Sequence, residues 1–189
     1  SSGTATVAQV NMIAAKTTGV VTATISEGDM SSLNAITEAG NAYTVTVTDA
    51  SADAAALNSL DAKTTVALGV TSTTLNGTFA DINTVYTANS NGTISGLGNE
   101  DITLTGTITV AQFNELATKT SGIVTAIISD HDMATLVLIA ESVHALTISI
   151  TDEVVVAADL NTLDNRTTVT VNALEVTTIT GSAADVITT

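Results

Sequence analysis

The feature that most constrains the fold of this chain is a short motif that recurs along its whole length. Its two clearest copies are AAALNSLD at residues 54–61 and AADLNTLD at residues 157–164. Eight copies, spaced 23 to 31 residues apart, centre on Asn11, Asn34, Asn58, Asn83, Asn114, Val137, Asn161 and Ile187. A period in this range is typical of solenoids, in which each short unit covers its apolar face with the next unit. The sequence therefore predicts a repeat protein.

A longer repeat contains the short one. After a shift of 103 residues, TVAQVN at 6–11 meets TVAQFN at 109–114, and AYTVTVTD at 42–49 meets ALTISITD at 145–152. This offset indicates that a block of about four short repeats has been duplicated.

We therefore divide the chain into two units. The first, residues 1–105, holds four short repeats and a punctuating segment at 84–105, for which we expect an extra strand or an enlarged turn. The second, residues 106–189, is a shorter copy that continues directly from the first. Because the second copy stops inside a repeat, we expect the natural protein to extend in both directions.

Each motif is preceded, five residues before its centre, by a residue suited to cap a helix N-terminus. These residues are Thr6, Asp29, Asp53, Thr78, Thr109, Asp132 and Ser182, and only Val156 departs from the rule. Side-chain oxygens of Ser, Thr and Asp accept hydrogen bonds from the free N–H groups of a first helical turn.

The chain has four cations, and each lies five residues after a motif centre. They are Lys16, Lys63, Lys119 and Arg166. We expect helices of two to three turns with these cations near their C-termini, where the helix dipole favours positive charge.

Between the helices the apolar pattern changes to alternation. Apolar residues take every second position at 21–25, 43–47, 124–128 and 146–150, and Thr or Ser takes most of the others. Such alternation predicts strands with one buried and one wet face. One strand and one helix fill a repeat, so successive strands should be parallel neighbours joined by right-handed crossovers. The predicted fold is an α/β, two-layer solenoid of about eight strand-helix coils, with a parallel sheet on one side and short helices on the other.

Composition excludes several functional classes. The formal net charge is −15 with only four Lys and Arg residues, which argues against nucleic acid or anionic lipid as a partner. No apolar run approaches the roughly 20 residues needed to cross a bilayer, so we expect no membrane insertion. The chain has no cysteine, which excludes disulfides and thiol catalysis.

Two motifs carry a resemblance to known proteins. ADLNTLD at 158–164 and ISGLGNEDITLT at 94–105 resemble the repeat tracts of very large secreted or cell-surface proteins of cyanobacteria and other aquatic bacteria. The similarity covers nearly the whole chain. The resemblance implies an extracellular or cell-surface location, a structural or adhesive role and no known catalysis.

Acidic turns form one candidate metal site. Glu27, Asp29, Asp130 and Asp132 occupy matching positions before their helices, and stacked carboxylates of this kind could bind calcium. The alternative, which we favour, is that Asp29 and Asp132 are helix caps and the other acids are solvated turn residues, because no EF-hand or glycine-rich calcium repeat is present. We expect no cofactor other than calcium at this candidate site.

The remaining candidate residues have structural interpretations. The motif asparagines either form a ladder that bonds a neighbouring turn or lie exposed on their helices, and we favour the ladder; they are Asn11, Asn34, Asn58, Asn83, Asn114 and Asn161. The two histidines, His131 and His144, are interpreted as ordinary surface residues.

These observations favour a non-catalytic structural module of an extracellular fibre, surface layer, sheath or adhesin stalk. Its partners would be neighbouring repeats or further copies, because open solenoid edges can stack end to end. The alternative is a binding surface for ice or a glycan on the flat Thr-rich face. An enzyme is disfavoured because arginine occurs once and no catalytic constellation is present.

Overall fold

The computed structural model describes residues 3–188, which form a mixed α/β structure with parallel strands and several short helices. The chain divides into two compact units, residues 1–100 and 101–189, and each is described by itself. We number the repeats 1 to 8 by the helix that each contains.

The first unit contains repeats 1 to 4. Its elements are β1 (Thr4–Ala5), α1 (Val7–Ala14), β2 (Thr22–Ile25), α2 (Met30–Leu33), β3 (Ala42–Thr44), β4 (Thr46–Val47), β5 (Ser51–Asp53), α3 (Ala54–Asp61), β6 (Leu68–Val70), β7 (Thr74–Gly77), α4 (Phe79–Asn91) and β8 (Ile94–Ser95). The strands pair in the orders β1-β2-β3, β4-β6-β8 and β5-β7, and every pair is parallel. The predicted parallel pairing of successive repeats is therefore confirmed here.

The second unit begins at a strand. Its elements are β9 (Asp101–Ile108), α5 (Val110–Ala117), β10 (Val124–Ile128), α6 (Met133–Leu136), β11 (Ala145–Thr147), β12 (Val154–Val156), α7 (Ala157–Asp164), β13 (Thr178–Thr180) and α8 (Ala183–Thr188). Here β10 lies between β9 and β11, and β12 pairs with β13, again in parallel. The unit starts five residues before the sequence-based boundary because residues 101–105 belong to the continuous strand β9.

One expectation about the strands is wrong. A repeat does not always contain a single strand, because the third repeat has three short strands that pair separately: β3 with β2, β4 with β6, and β5 with β7. The seventh repeat is likewise divided between β11 and β12. The backbone bends at Ala50 before β5 and at Glu153 before β12, and the third repeat contributes to several small sheets.

The predicted alternation of the strands is confirmed. In residues 43–48 the side chains of Tyr43, Val45 and Val47 are buried while the threonines between them are exposed. The apolar positions of the helices face the same cores, with Leu57 in the first unit and Phe113 in the second fully buried. Each core is therefore built from inward strand residues and one face of each short helix.

All seven predicted helix caps accept a hydrogen bond from the backbone of their first turn, and Val156 makes no side-chain cap. Helix length follows the prediction less well. The helices α1, α3, α5 and α7 each have eight residues, whereas α2 and α6 have only four.

The segment at 84–105 differs in part from the expectation. Its first eight residues extend α4 to Asn91, where Gly92 ends the helix in a left-handed conformation. The expected extra strand is present as β8, which pairs with β6, and the last five residues start β9. Within residues 3–188, none of the helices has the length and apolar character required to cross a membrane.

Candidate functional site

The carboxylates proposed for calcium accept hydrogen bonds from helix N-termini. Glu27 accepts from the backbone N–H of Val7 at 3.1 and 3.2 Å, and Asp130 accepts from that of Val110 at 2.6 Å. Val7 and Val110 are the first residues of α1 and α5, so each acid binds the helix of the preceding repeat. These acids of neighbouring repeats thus satisfy donors that a helix cannot satisfy by itself.

The other two calcium candidates cap their own helices. Asp29 accepts from Ser32 N–H and Asp132 from Thr135 N–H, both at 2.9 Å. Hydrogen bonds from the Ser31 hydroxyl to Asp29, and from the Thr135 side chain to Asp132, lower the pKa of each carboxyl. The pKa of Glu27 is lowered chiefly by the Ser26 hydroxyl. The cap interpretation of Asp29 and Asp132 is confirmed.

No group of three or more acidic, His or Cys side chains suitable for a metal ion occurs within residues 3–188. Glu27 and Asp29 lie in one turn, and Asp130 and Asp132 lie in the corresponding turn of the second unit, each with its own backbone donor. These turns therefore arrange carboxylates as hydrogen-bond acceptors. Calcium binding by them stays a prediction.

Two further acids bind the helix of the preceding repeat as Glu27 and Asp130 do, and the sequence did not predict this role. Asp49 accepts from Met30 N–H, and Asp152 accepts from Met133 N–H, both at 2.6 Å. Met30 and Met133 start the helices of the preceding repeats. The signal that could have found them is the 103-residue offset, which relates both the two acids and their two partners.

Glycine takes the corresponding position one repeat later. A Cβ on Gly77 would lie 3.1 Å from the Ala54 Cβ, and a Cβ on Gly181 would lie 3.3 Å from the Ala157 Cβ. Ala54 and Ala157 start α3 and α7. The two backbone segments approach so closely here that a side chain at either glycine would crowd the alanine methyl group.

Four of the motif asparagines bond the following repeat. Asn11 donates to the Ala35 carbonyl at 2.7 Å and accepts from Thr37 N–H at 3.1 Å. Asn114 makes the same two contacts with Leu138 and Ala140. Asn58 and Asn161 also donate to backbone carbonyls one repeat further on. The bonding interpretation is confirmed for these four residues.

The remaining two asparagines behave differently. Asn34 is exposed at the end of α2, and Asn83 is half-buried in α4; among the described contacts neither side chain reaches a neighbouring repeat. The ladder therefore uses alternate repeats, namely those with eight-residue helices.

Two of the four cations bind the turns that Asn11 and Asn114 bind, but they come from the following repeat. Lys63 Nζ donates to the Thr37 carbonyl at 2.9 Å, and an Arg166 guanidinium nitrogen donates to the Ala140 carbonyl at 2.8 Å. All four cations lie just beyond the C-caps of their helices, as expected. The turn at Thr37 is thus held by Asn11 of the preceding repeat and by Lys63 of the following one.

These contacts explain why α2 and α6 stop after one turn. The backbone groups of Ala35 and Thr37 bond to Asn11 and Lys63, and the second unit repeats this arrangement around Ala140. Bonds to side chains of adjacent repeats replace the intrahelical bonds that a longer helix would make.

The exchange of Asn41 for His144 at the 103-residue offset preserves one buried bond. Asn41 Oδ1 accepts from Val21 N–H at 2.9 Å, and His144 Nδ1 accepts from Val124 N–H at 3.0 Å. His144 is 6% exposed, so its assignment as a surface residue is wrong. Burial lowers its pKa against an opposing effect of Glu141.

His131 has the predicted exposed position. Its Nδ1 lies 3.0 Å from the Ser149 carbonyl, in the strand region of the next repeat. The surface interpretation is confirmed for this histidine.

One buried acid holds the turn that follows β8. Glu100 is 1% exposed, and its carboxylate accepts from Gly98 N–H at 2.8 Å, from Asn99 N–H at 3.1 Å and from the Tyr86 hydroxyl. Tyr86 lies on α4, so this acid ties residues 98–100 to that helix. Neither residue was singled out from the sequence.

A polar recess of about 300 Å³ lies beside the loops after α1 and α2 in the first unit. Thr17, Thr18, Glu38 and Asn41 contribute its polar groups, and Asn41 already bonds Val21. This lining combines one carboxylate with hydroxyl and amide groups. It contains no paired acid and base of the kind that proton-transfer catalysis requires.

Comparison of the chain with known protein families finds no match, and comparisons with curated proteins and with solved structures find no significant match. The function is therefore inferred from the geometry described above, in which polar side chains bond mainly to the backbone of adjacent repeats.

Proposed function

We propose that this chain is a non-catalytic structural module of an extracellular fibre, surface layer, sheath or adhesin stalk. Its architecture in this proposal is an α/β solenoid of about eight strand-helix coils, advancing about 4.8 Å per coil. The parallel pairing of successive repeats within each unit supports the solenoid.

The observation that carries the proposal is the use of polar side chains as links between repeats. Six such contacts occur twice, once in each unit, at the 103-residue offset. Their first members are Glu27–Val7, Asp49–Met30, Asn11–Thr37, Lys63–Thr37, Asn41–Val21 and Thr64–Tyr43. Their counterparts are Asp130–Val110, Asp152–Met133, Asn114–Ala140, Arg166–Ala140, His144–Val124 and Thr167–Leu146.

Duplicated contacts of this kind suit a mechanical role. Repeat proteins derive their stability from each repeat and from its contacts with its neighbours, so repeated links maintain rigidity along any number of repeats. The acidic surface favours solubility and disfavours nonspecific association with nucleic acid. In this proposal the partners are neighbouring repeats of the same long chain or further copies.

End-to-end assembly is the testable part. The strands β1 and β13 each pair on one side only within the described sheets, and an unpaired strand edge can accept another chain. Sedimentation velocity over a hundredfold concentration range, with negative-stain microscopy of the same samples, should reveal rods that lengthen with concentration. Monodisperse monomers throughout would reject assembly of this chain by itself.

A second candidate is a binding surface for ice or a glycan. Thr4, Thr24 and Thr44 are exposed and lie in register on β1, β2 and β3, which gives a row of hydroxyl and methyl groups. Thr24→Lys should abolish thermal hysteresis or glycan-array binding, whereas Thr87→Lys on the exposed face of α4 should not. Absence of both activities in the unaltered chain would remove this candidate.

A further inference from the structure

Histidine 144 occupies a buried position where protonation conflicts with the bond that it makes. Its Nδ1 accepts from the Val124 amide, so this nitrogen carries no proton in the folded chain. The ring also packs edge-on against Phe113, with ring centroids 5.2 Å apart and planes at 75°. The neutral imidazole is the form that fits this site.

Protonation would place two donors face to face. An imidazolium has N–H groups at both ring nitrogens, so Nδ1 would then oppose the Val124 N–H instead of accepting from it. The charge would also lie in a site that is 6% exposed, where an unpaired ion is costly. Opening of the site relieves both effects because the ring then reaches water.

The surrounding charges do not supply a dedicated partner for the imidazolium. Among the described residues, the charged groups on the elements around the ring are Glu141 in its own turn, Asp101 at the start of β9, Glu115 on α5, Lys119 after α5, and Asp164 and Arg166 around the end of α7. Asp101 already accepts from Ile123 N–H at 2.7 Å, and Arg166 already donates to Ala140. Glu141 favours the charged form, but burial outweighs it in lowering the pKa of His144.

The first unit supplies a matched site that cannot titrate. Asn41 replaces the histidine, Val10 replaces Phe113, and Val21 replaces Val124 as donor. Asn41 is as buried as His144, at 6% exposure, and its amide oxygen accepts at every pH. The two units therefore share one contact but differ in its response to acid.

We propose that His144 makes an acid-sensitive contact, whose protonation releases the start of β11 from the start of β10 in the second unit. The equivalent contact through Asn41 in the first unit persists in acid. The inference concerns a response to acid and does not depend on the extracellular role proposed above.

The sign of the effect follows from proton linkage. Burial lowers the folded pKa below the ordinary value of 6.5, so the open form binds more protons between those two values. The stabilising contribution is complete above about pH 6.5 and is lost as the pH falls from there towards the folded pKa. Within that window the opening equilibrium should rise about tenfold per pH unit.

Amide hydrogen exchange of the full chain tests this directly. The amides of Val124 and Val21 are of the same residue type and each follows a β-branched residue, so their intrinsic exchange rates are closely matched. We expect the protection of Val124 relative to Val21 to fall as the pH is lowered below about 6.5, by up to about tenfold per pH unit until the folded pKa is reached. In that window the NMR signal of the His144 ring should retain the neutral position.

Two reciprocal substitutions give the decisive comparison. His144→Asn installs the residue of the first unit and should make the protection ratio independent of pH, even if stability falls because the smaller side chain leaves space beside Phe113. Asn41→His should transfer the pH dependence to Val21, which keeps the test informative if the first variant folds poorly. A pH slope that survives His144→Asn, or a His144 ring that titrates at about pH 6.5 in the folded chain, would overturn the proposal.

Discussion

At the scale of single residues, the main finding is that polar side chains serve the repeat next to their own. Glu27, Asp49 and Asn11 each bond backbone groups in an adjacent repeat. A buried or half-buried backbone donor without a partner destabilises the folded chain, so each of these side chains prevents such a loss.

Asparagine 11 should contribute measurably because it bonds both Ala35 and Thr37. We expect Asn11→Ala to lower the free energy of unfolding by about 1 to 2 kcal/mol, since it removes two bonds to a turn. Asn34→Ala is the control, because Asn34 is exposed and makes no contact of this kind among the described residues; urea unfolding should show a change below about 0.5 kcal/mol. Equal losses in the two variants would disprove the assigned role of Asn11.

The lowered carboxyl pKa values predict a specific loss of stability in acid. Asp29 has a folded pKa below its ordinary value of 3.8, so the unfolded chain binds more protons just below that value. The contribution of Asp29 is present above about pH 3.8 and is lost as the pH falls through the folded pKa. We expect Asp29→Ala to have a lower urea midpoint than the unaltered chain at pH 7, and the difference to shrink below pH 4. A difference that is constant down to pH 2.5 would contradict this origin.

At the scale of helices and strands, lengths are set by neighbours as much as by local propensity. The helix α2 ends after Leu33 although Ile36 continues its apolar spacing, because side chains from both adjacent repeats bond the backbone that follows. The helix α4 runs to Asn91, and its Tyr86 donates to Glu100, which secures the turn after β8.

Glutamate 100 should be the most sensitive acid of the first unit. Glu100→Ala removes the acceptor for two backbone amides and the Tyr86 hydroxyl, and we expect it to cost about 3 kcal/mol, as for buried bonds to a charged group. Glu100→Gln should recover part of this loss because it keeps an acceptor oxygen. Exchange at Gly98 and Asn99 should accelerate in the alanine variant, whereas exposed Glu115→Ala should have little effect. Unchanged exchange at these two amides would refute the anchoring role.

At the scale of the whole molecule, the two units make equivalent contacts with different residues. Asp130 corresponds to Glu27, Arg166 to Lys63 and His144 to Asn41, and in each case the bond to the neighbouring repeat is present in both units. The requirement on these positions is therefore a donor or acceptor of suitable reach rather than one residue type.

The stability of the chain should not require calcium. The four candidate carboxylates already accept backbone hydrogen bonds, so we expect the same melting temperature, within about 1 °C, with 2 mM calcium and with excess chelator. A rise of several degrees with calcium would assign the acidic turns to metal binding, because a ligand that binds only the folded state stabilises it. Magnesium at the same ionic strength is the control for screening of the negative charge.

The sequence by itself determined the parallel strand-helix repeats, the inward and outward faces of the strands, and the seven helix caps. These features depend on local periodicity and on side chains within one helical turn, for example Asp53 and Ala56, so a single sequence contains them. Only the tertiary structure decided that Asp49 caps the helix before it, that His144 is buried and that α2 stops after one turn. Each of these depends on partners 19 to 26 residues away, whose alignment is set by strand register and by loops that bend within a repeat.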